Sequence, residues 1–174
     1  MIPSLENIDW ARFLARPRLP SPSAEVFDAL HPQPILITGA GGSIGSALAR
    51  RLAVLAPPSL LLLESSESHL YAFNREWEAA ALACPITPIL GNAADVALLD
   101  HIFSAHSPRI VFHAAAFKHV PLMEKQPLAA IANNIFATET LSMACASHGA
   151  RLILLSTDKA VEPASVMGAT KRVA

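Results

Sequence analysis

Four polar residues follow the apolar run "RLILL" near the end of this 174-residue chain: Ser156, Thr157, Asp158 and Lys159. A hydroxyl, a carboxylate and an ammonium group in adjacent positions are side chains with which enzymes move protons. Lys159 would need its pKa lowered by burial or by neighbouring cations to act as a base near neutral pH. Adjacent strand residues point to opposite faces, so two of these side chains can face one site only if the strand has ended by Thr157. The alternative is a polar turn after a buried strand.

Three glycines in "ITGAGGSIGSALARRL" lie directly after an apolar run and at the start of a helical pattern. A dinucleotide-binding loop requires this position. Gly39 would allow a tight exit from the strand, Gly42 a close approach of the backbone to a pyrophosphate, and Gly45 close packing of the helix on the sheet. Ser43 and Ile44 would offer backbone amides at the helix N-terminus, where the helix dipole favours phosphate. The alternative is an ordinary glycine-rich turn.

Two carboxylates are candidates for binding the adenosine half of such a cofactor. Glu64 ends the second apolar run, where it would accept from a ribose 2′-hydroxyl and repel a 2′-phosphate, which favours NAD over NADP. The sequence "ESSE" is also typical of a capping motif, so Glu64 or Glu67 could instead cap the next helix. We predict cofactor contacts at Ala94 and Asp95 in "GNAAD", where Asp95 would accept from the adenine amino group or N-cap a helix.

Five short apolar runs predict the strands that position these residues: "PILIT" (34–38), "SLLLLE" (59–64), "PITPIL" (85–90), "RIVFHA" (109–114) and "RLILLS" (151–156). Apolar runs without alternation are typical of parallel strands that helices cover on both faces. The intervals show helical spacing, including one long predicted helix from about Leu122 to His148. Right-handed crossovers then predict a doubly wound, Rossmann-like α/β sheet of order 3-2-1-4-5.

Composition and residue spacing argue against several other classes of protein and site. The chain is 52% apolar with a net charge of -1, which argues against disorder and against a nucleic-acid partner. Its apolar runs are too short to span a membrane. Cys84 and Cys145 have no CxxC spacing and are expected to be buried thiols in a reducing cytoplasm. The histidines lack metal-binding spacing, so we predict no metal site. Residues 1–33 are rich in proline and predict a connector with a short helix around residues 24–30, ahead of a domain at 34–174.

Several motifs together resemble the extended short-chain dehydrogenase/reductase superfamily: "TGAGGSIG", "HAAA" after the fourth strand, and "STDK" followed by a helix that carries a lysine. Within it, "HAAAFKHVPLMEKQP", "NNIFAT" and "STDKAVEPASVMGATKR" resemble the large, methionine-containing branch of bacterial nucleotide-sugar 4,6-dehydratases, which act on UDP-N-acetylglucosamine in polysaccharide biosynthesis. The similarity covers about residues 35–174. It implies NAD as cofactor, a UDP-sugar substrate and a homo-oligomer at full length.

The chemistry of this family is an internal redox cycle. The sugar's carbon 4 hydroxyl is oxidised by hydride transfer to NAD, carbon 5 loses a proton, water leaves from carbon 6, and hydride returns there. The resemblance assigns the carbon 4 oxygen to Thr157, the acid to Asp158 and the base to Lys159. Lys171 matches the lysine that binds the nicotinamide ribose. Met167 stands where most of the superfamily has a tyrosine; since a thioether cannot transfer a proton, we expect it to pack against the sugar or nicotinamide.

The resemblance also implies contacts for residues after the fourth strand: Ala114 and Ala115 with the cofactor, and Lys118, His119 and Asn134 with the substrate. For His119, a structural or surface role is the alternative. Asn134 matches the asparagine of an N-x-x-G-T pattern that steadies the active-site end of the long helix, although Ala137 replaces the glycine.

Family members continue beyond the catalytic lysine with further strands and most of the nucleotide-sugar pocket. We therefore expect this chain to be a piece of a longer protein, truncated before the substrate-binding region and inactive alone. Two other functions stay open: a nucleotide-sugar 4-epimerase, against which the absence of a tyrosine at position 167 argues, and a catalytically silent NAD-binding module. A cytoplasmic location is expected. In relatives that carry a membrane anchor, this domain is expected on the cytoplasmic side.

Overall fold

The computed structural model describes residues 9–13, 15–17, 23–30, 33–80 and 84–174. Its centre is one five-stranded sheet of order β3-β2-β1-β4-β5, in which all neighbouring strands are parallel. The strands are β1 (Ile35–Thr38), β2 (Leu60–Glu64), β3 (Ile86–Leu90), β4 (Ile110–His113) and β5 (Arg151–Leu154). The predicted Rossmann-like fold, with its five strands and their order, is confirmed.

The helices between these strands pack on both faces of the sheet. The described part of the chain contains the helices α1 (Trp10–Phe13), α2 (Ala24–Leu30), α3 (Ser43–Ala53), α4 (Glu67–Ala80), α5 (Val96–His106), α6 (Val120–Lys125), α7 (Pro127–Ile131), α8 (Ala137–His148) and α9 (Val166–Val173); α1 and α2 precede the sheet, and α9 follows it. Helix α2 lies where a short helix was predicted. The other parts of the predicted connector, residues 1–8, 14, 18–22 and 31–32, lie outside the described residues.

Alternate strand residues build two cores. Ile35 and Ile37 of β1 contribute to the cluster under α3 and α4, whereas Leu36 contributes to the cluster under α5 and α8. All three side chains are fully buried. Each contributes about 1.5–3 kcal/mol by leaving water, so the central strands hold the carboxyl end of the sheet in a fixed position.

The prediction of one long helix from about Leu122 to His148 is wrong. Helix α6 ends at Lys125, and Gln126 has the non-helical backbone angles φ −133 and ψ 54. Pro127 then starts α7, because proline has no N–H to donate and fits the first position of a helix. A π-helix, Ala132–Phe136, joins α7 to α8. Such π-segments are frequent at functional sites.

Candidate functional site

A cleft of about 740 Å³ opens beyond the carboxyl ends of the strands. It borders the ends of β1 and β4, where the order of the sheet reverses and the chain leaves in opposite directions, which is where ligands bind in open α/β sheets. Most of the predicted site residues line it: Gly39, Gly42, Ser43, Ile44, Gly45, Glu64, Ala114, Ala115, Lys118, His119, Thr157, Lys159, Met167 and Lys171. Ala94, Asp95, Asn134 and Asp158 do not.

The glycine loop packs so tightly that two of its glycines leave no room for a side chain. Gly39 has φ +66, and a Cβ there would lie 2.7 Å from Cα of Ala115. A Cβ on Gly45 would lie 2.1 Å from the carbonyl oxygen of Gly39. The strand exit and the first turn of α3 are therefore in direct backbone contact, as the glycine pattern predicted.

The N-terminus of α3 borders the cleft. Gly42 is its N-cap and has no side chain with which to cap it, and Ser43 and Ile44 follow at the edge of the cleft. The first amides of an α-helix have no partner within the helix. Together with the positive end of the helix dipole, they form a site suited to an anion such as phosphate.

Glu64 is buried at the end of β2 and holds the glycine loop. Its Oε2 accepts from the backbone amide of Gly41 at 3.0 Å, and its Oε1 accepts from that of Ser66 at 2.9 Å, just before α4. The carboxylate thus connects the glycine loop to the start of α4 through two hydrogen bonds. A carboxylate has about four acceptor positions, so acceptor capacity remains at the cleft.

Asp95 caps a helix in this structure. Its Oδ1 accepts from the backbone amide of Leu98 at 3.1 Å, which makes it the N-cap of α5 and matches the alternative raised from the sequence. Ala94 is exposed. Asn92 and Ala93 line the cleft after β3 instead. A contact between Asp95 and adenine stays a prediction.

The "STDK" residues leave the sheet before they reach the cleft. Strand β5 ends at Leu154, so the condition that the strand has ended by Thr157 is met. Thr157 caps a short 3-10 turn, and its hydroxyl donates to Asp158 Oδ1 at 2.8 Å. The Asp158 side chain is 88% exposed. The Thr157 hydroxyl, followed by the charge of Lys159, holds the pKa of Asp158 below its usual range. Asp158 is thus held ionised and, in this conformation, has no proton to donate as a general acid.

Lys159 does not have the surroundings expected of a base. Its side chain is 56% exposed, and its Nζ lies 3.5 Å from Asp158 Oδ1, so its neighbour is an anion rather than a cation. The burial that the sequence analysis required is therefore absent here.

Helix α9 places two of the predicted residues at the cleft. Met167 is buried against Met123 and Ala130, which fixes α9 on α6 and α7. Lys171 is 6% exposed, and burial lowers the pKa of its ammonium group. Within the described residues no carboxylate or hydrogen-bond acceptor is paired with that ammonium group. It is thus available to hydroxyl groups of a ligand.

Asn134 is a structural residue of the π-helix. Its Nδ2 donates to the carbonyl oxygen of Phe117 and to Thr170 Oγ1, both at 3.0 Å, and its Oδ1 accepts from the Phe117 amide at 2.8 Å. The steadying role predicted for it agrees with these contacts. Grouping it with the substrate-contacting residues does not, since it is 1% exposed and lies behind the cleft wall.

Sequence reasoning missed several residues that line the cleft: His69, Asn92, Ala93 and Asn133. Asn133 precedes Asn134 in "NNIFAT", and the π-helix brings it to the cleft surface. His69 lies in the first turn of α4, against Gly41 of the loop. The phase of α4 could have indicated His69, whereas no local signal indicates the π-helix.

Residues 35–174 match a family described as polysaccharide biosynthesis protein. The chain belongs to this family. The match does not depend on one motif, because residues 35–174 include all five strands of the sheet.

Relatives of this chain carry several names. The capsular polysaccharide biosynthesis protein CapD of Staphylococcus aureus is 35% identical over 98% of this chain and 29% of its own length. A UDP-N-acetylglucosamine 4,6-dehydratase (inverting) of Campylobacter jejuni is 33% identical over 79% of this chain and 40% of its own. A UDP-glucose 4-epimerase of Rickettsia canadensis is also 33% identical, with the same coverage. The chain therefore spans less than half the length of these relatives.

Solved structures share the fold. Pen from Bacillus thuringiensis superposes with a TM-score of 0.73 at 27% identity, covering 82% of this chain and 44% of that one. DesIV, a dTDP-glucose 4,6-dehydratase of Streptomyces venezuelae solved with NAD and TYD bound, gives a TM-score of 0.68 at 26% identity, covering 80% and 48%. The resemblance to nucleotide-sugar enzymes of the short-chain dehydrogenase/reductase type is confirmed.

The described residues show neither a membrane-spanning helix nor a cluster of metal-binding side chains. None of their helices is long and apolar enough to cross a membrane. They also contain no group of three or more histidine, cysteine, aspartate or glutamate side chains placed to hold a metal ion.

Proposed function

We propose that this chain binds NAD in the cleft and forms the cofactor half of a nucleotide-sugar 4,6-dehydratase that acts on a UDP-N-acetylhexosamine in polysaccharide biosynthesis. The observation that carries the proposal is the uncapped N-terminus of α3 beside a glycine loop in which a Cβ on Gly45 would meet backbone at 2.1 Å. The tight packing holds the start of α3 at the cleft, and Gly42, which has no side chain, leaves the first amides of the helix open to a pyrophosphate.

Three groups of the chain would hold the cofactor. The amides at the start of α3 bind the pyrophosphate, Glu64 accepts from the hydroxyls of the adenosine ribose, and Lys171 donates to those of the nicotinamide ribose. Glu64 also disfavours NADP, because a 2′-phosphate would meet its carboxylate. When bound, NAD supplies the acceptor and donor of hydride for the redox cycle.

The substrate would meet the other wall of the cleft. Lys118 and His119 lie exposed at its edge, where they can bind the phosphates of a nucleotide sugar. Thr157 holds the carbon 4 oxygen, Lys159 takes the carbon 5 proton, and Asp158 donates to the departing hydroxyl. Because the contacts seen here keep Asp158 ionised and exposed, its surroundings must change when substrate binds.

A 4-epimerase is the second candidate, because relatives with that name match this chain as well as the dehydratase does. Met167 argues against it, since a thioether cannot exchange a proton with the carbon 4 hydroxyl. A catalytically silent NAD-binding module is the third. In each case we propose a cytoplasmic site of action and assembly into a homo-oligomer.

Two experiments test the proposal. Calorimetric titration of this chain with NAD and with NADP should show tighter binding of NAD, and no heat with either would overturn the cofactor assignment. A longer protein that contains this chain, incubated with UDP-N-acetylglucosamine in deuterated water, should give a 4-keto-6-deoxy sugar with deuterium at carbon 5. A product that keeps its 6-hydroxyl and is inverted at carbon 4 would identify an epimerase.

A further inference from the structure

A buried hydrogen-bond chain runs beneath the cleft from β1 to the π-helix. Thr38 and His113 are register partners at the ends of β1 and β4, and Thr38 Oγ1 lies 2.5 Å from His113 Nδ1. On the other side of the ring, His113 Nε2 lies 3.0 Å from Thr138 Oγ1. Thr138 Oγ1 in turn donates to the carbonyl oxygen of Asn134 at 2.7 Å. We call Thr38, His113 and Thr138 the imidazole chain.

The donor and the acceptor of each hydrogen bond can be assigned from the Asn134 carbonyl at the end of the series. The Asn134 carbonyl can only accept, so the single hydroxyl proton of Thr138 is used there. Thr138 Oγ1 must then accept from His113, which places the imidazole proton on Nε2. Nδ1 of the neutral ring is left as an acceptor, and the Thr38 hydroxyl donates to it.

The surroundings of His113 keep the ring neutral. Its side chain is 0% exposed. Burial, followed by the positive charge of Lys171, lowers the pKa of His113 to about 4. Lys171 of α9 is the charged group that faces it among the described residues, while its partners on β1 and α8, Thr38 and Thr138, are uncharged.

The imidazole chain reaches the nicotinamide end of the proposed site from two sides. Thr38 lines the cleft, and its hydroxyl donates its proton to His113, so the oxygen can only accept from a ligand. At the other end, the π-helix residue Asn134 donates through its side chain to Thr170, one residue before Lys171 in α9. The mechanism proposed above uses neither His113 nor Thr138.

We propose that His113 is a positioning residue: its neutral, Nε2-protonated ring fixes the Thr38 hydroxyl and the π-helix, and so places Lys171 for the nicotinamide half of NAD. This inference rests on the proposed NAD-binding function. His113 touches neither cofactor nor substrate and acts through Thr38 and α9.

Binding of two ligands separates this role from a merely structural one. NAD fills both halves of the proposed site, whereas ADP reaches only the glycine loop and Glu64. In His113→Asn, which keeps an acceptor near Thr38, and His113→Gln, which keeps a donor near Thr138, we expect NAD to bind about fivefold or more weakly and ADP within about twofold of wild type. His101→Asn, an exposed change on α5, is the matched control and should alter neither. Equal losses for both ligands, or none, would overturn the proposal.

The tautomer provides a test that needs no NAD and whose first part uses only the wild-type chain. Long-range 1H–15N spectra of the wild-type chain should show one histidine as the Nε2–H form, with no change between about pH 7.5 and about pH 5.5. Lys171→Met should raise the pKa of that histidine, because it removes the facing positive charge. An Nδ1–H form, or titration within that pH range, would overturn the inference. Should the wild-type chain bind no NAD, the proposed function fails, while these spectra still decide the state of His113.

Discussion

The carboxylate of Glu124 in α6 accepts a hydrogen bond from the backbone amide of Val166, the first residue of α9, at 2.7 Å. Ser165, the N-cap, accepts from another amide of the same turn. A negative charge at the start of a helix also lies at the positive end of its dipole. Helix α9, which carries Lys171 to the cleft, is therefore held by a side chain from a different helix as well as by the packing of Met167.

Replacing Glu124 should loosen α9. We expect Glu124→Gln to lower the free energy of unfolding by about 0.5 kcal/mol, because the charge is lost but an acceptor remains, and Glu124→Ala to lower it by about 1 kcal/mol. Both should weaken NAD binding through Lys171. Urea denaturation and calorimetry would measure the two effects. Asp100→Asn removes an exposed carboxylate from the middle of α5 and should change neither, so equal effects at both positions would contradict the capping role.

Adding one methyl group at Gly45 should disrupt the glycine loop. A Cβ there would lie 2.1 Å from the Gly39 carbonyl oxygen, so the loop or α3 must move. We expect Gly45→Ala to destabilise the fold by about 2–3 kcal/mol and to weaken NAD binding about tenfold or more.

Gly149→Ala is the matched control for the loop. Gly149 has φ +65 at the end of α8, but a Cβ there would meet nothing closer than 3.9 Å. Backbone strain alone should then lower stability by about 1 kcal/mol, with NAD affinity unchanged. Thermal unfolding and calorimetry on both variants would separate the effect of backbone strain from the effect of displacing the loop. Normal NAD binding by Gly45→Ala would show that the loop does not hold the pyrophosphate.

The charge of Glu64 should set the choice between NAD and NADP. Glu64→Gln keeps one oxygen acceptor but presents an NH2 group toward either Gly41 or Ser66, whose amides need an acceptor. We expect weaker binding of NAD, a preference over NADP reduced about tenfold, and a loss of about 1–2 kcal/mol in stability. The ratio of the two dissociation constants measures this. Glu67→Gln, in the first turn of α4, should leave that ratio unchanged.

The strands and their order could be predicted because the signal is local. Apolar runs such as "SLLLLE" mark β2, and the position of the glycine loop identifies β1. The break after Lys125 was missed because apolar spacing continues through "KQPLAAI", although Pro127 marks it. The π-helix has no such mark. It depends on contacts that Asn134 makes with Phe117 and Thr170, which are distant in sequence.

The site shows the same difference between local sequence signals and contacts of residues distant in sequence. The family motifs indicated which side chains line the cleft, including Lys171 and Thr157. They could not indicate that Asp158 and Lys159 face each other in solvent, because this depends on where the 3-10 turn places them. The motif "HAAA" contains His113 but did not indicate its role, because its burial and its two hydrogen bonds arise only when β1, β4 and α8 come together.

His113 should make stability depend on pH in a defined direction. Its pKa is lowered from 6.5 to about 4 in the folded chain. Between pH 6.5 and about pH 4, His113 is therefore protonated in the unfolded chain and neutral in the folded chain. The contribution of the neutral ring is therefore fully present above about pH 6.5 and is lost as the pH falls toward 4, by about 3 kcal/mol in total. His113→Gln has no such group, so its deficit in unfolding free energy relative to wild type should be largest near pH 7 and smaller near pH 5. Urea denaturation at both pH values measures this difference, and a deficit that is independent of pH would mean that His113 is not held neutral by the fold.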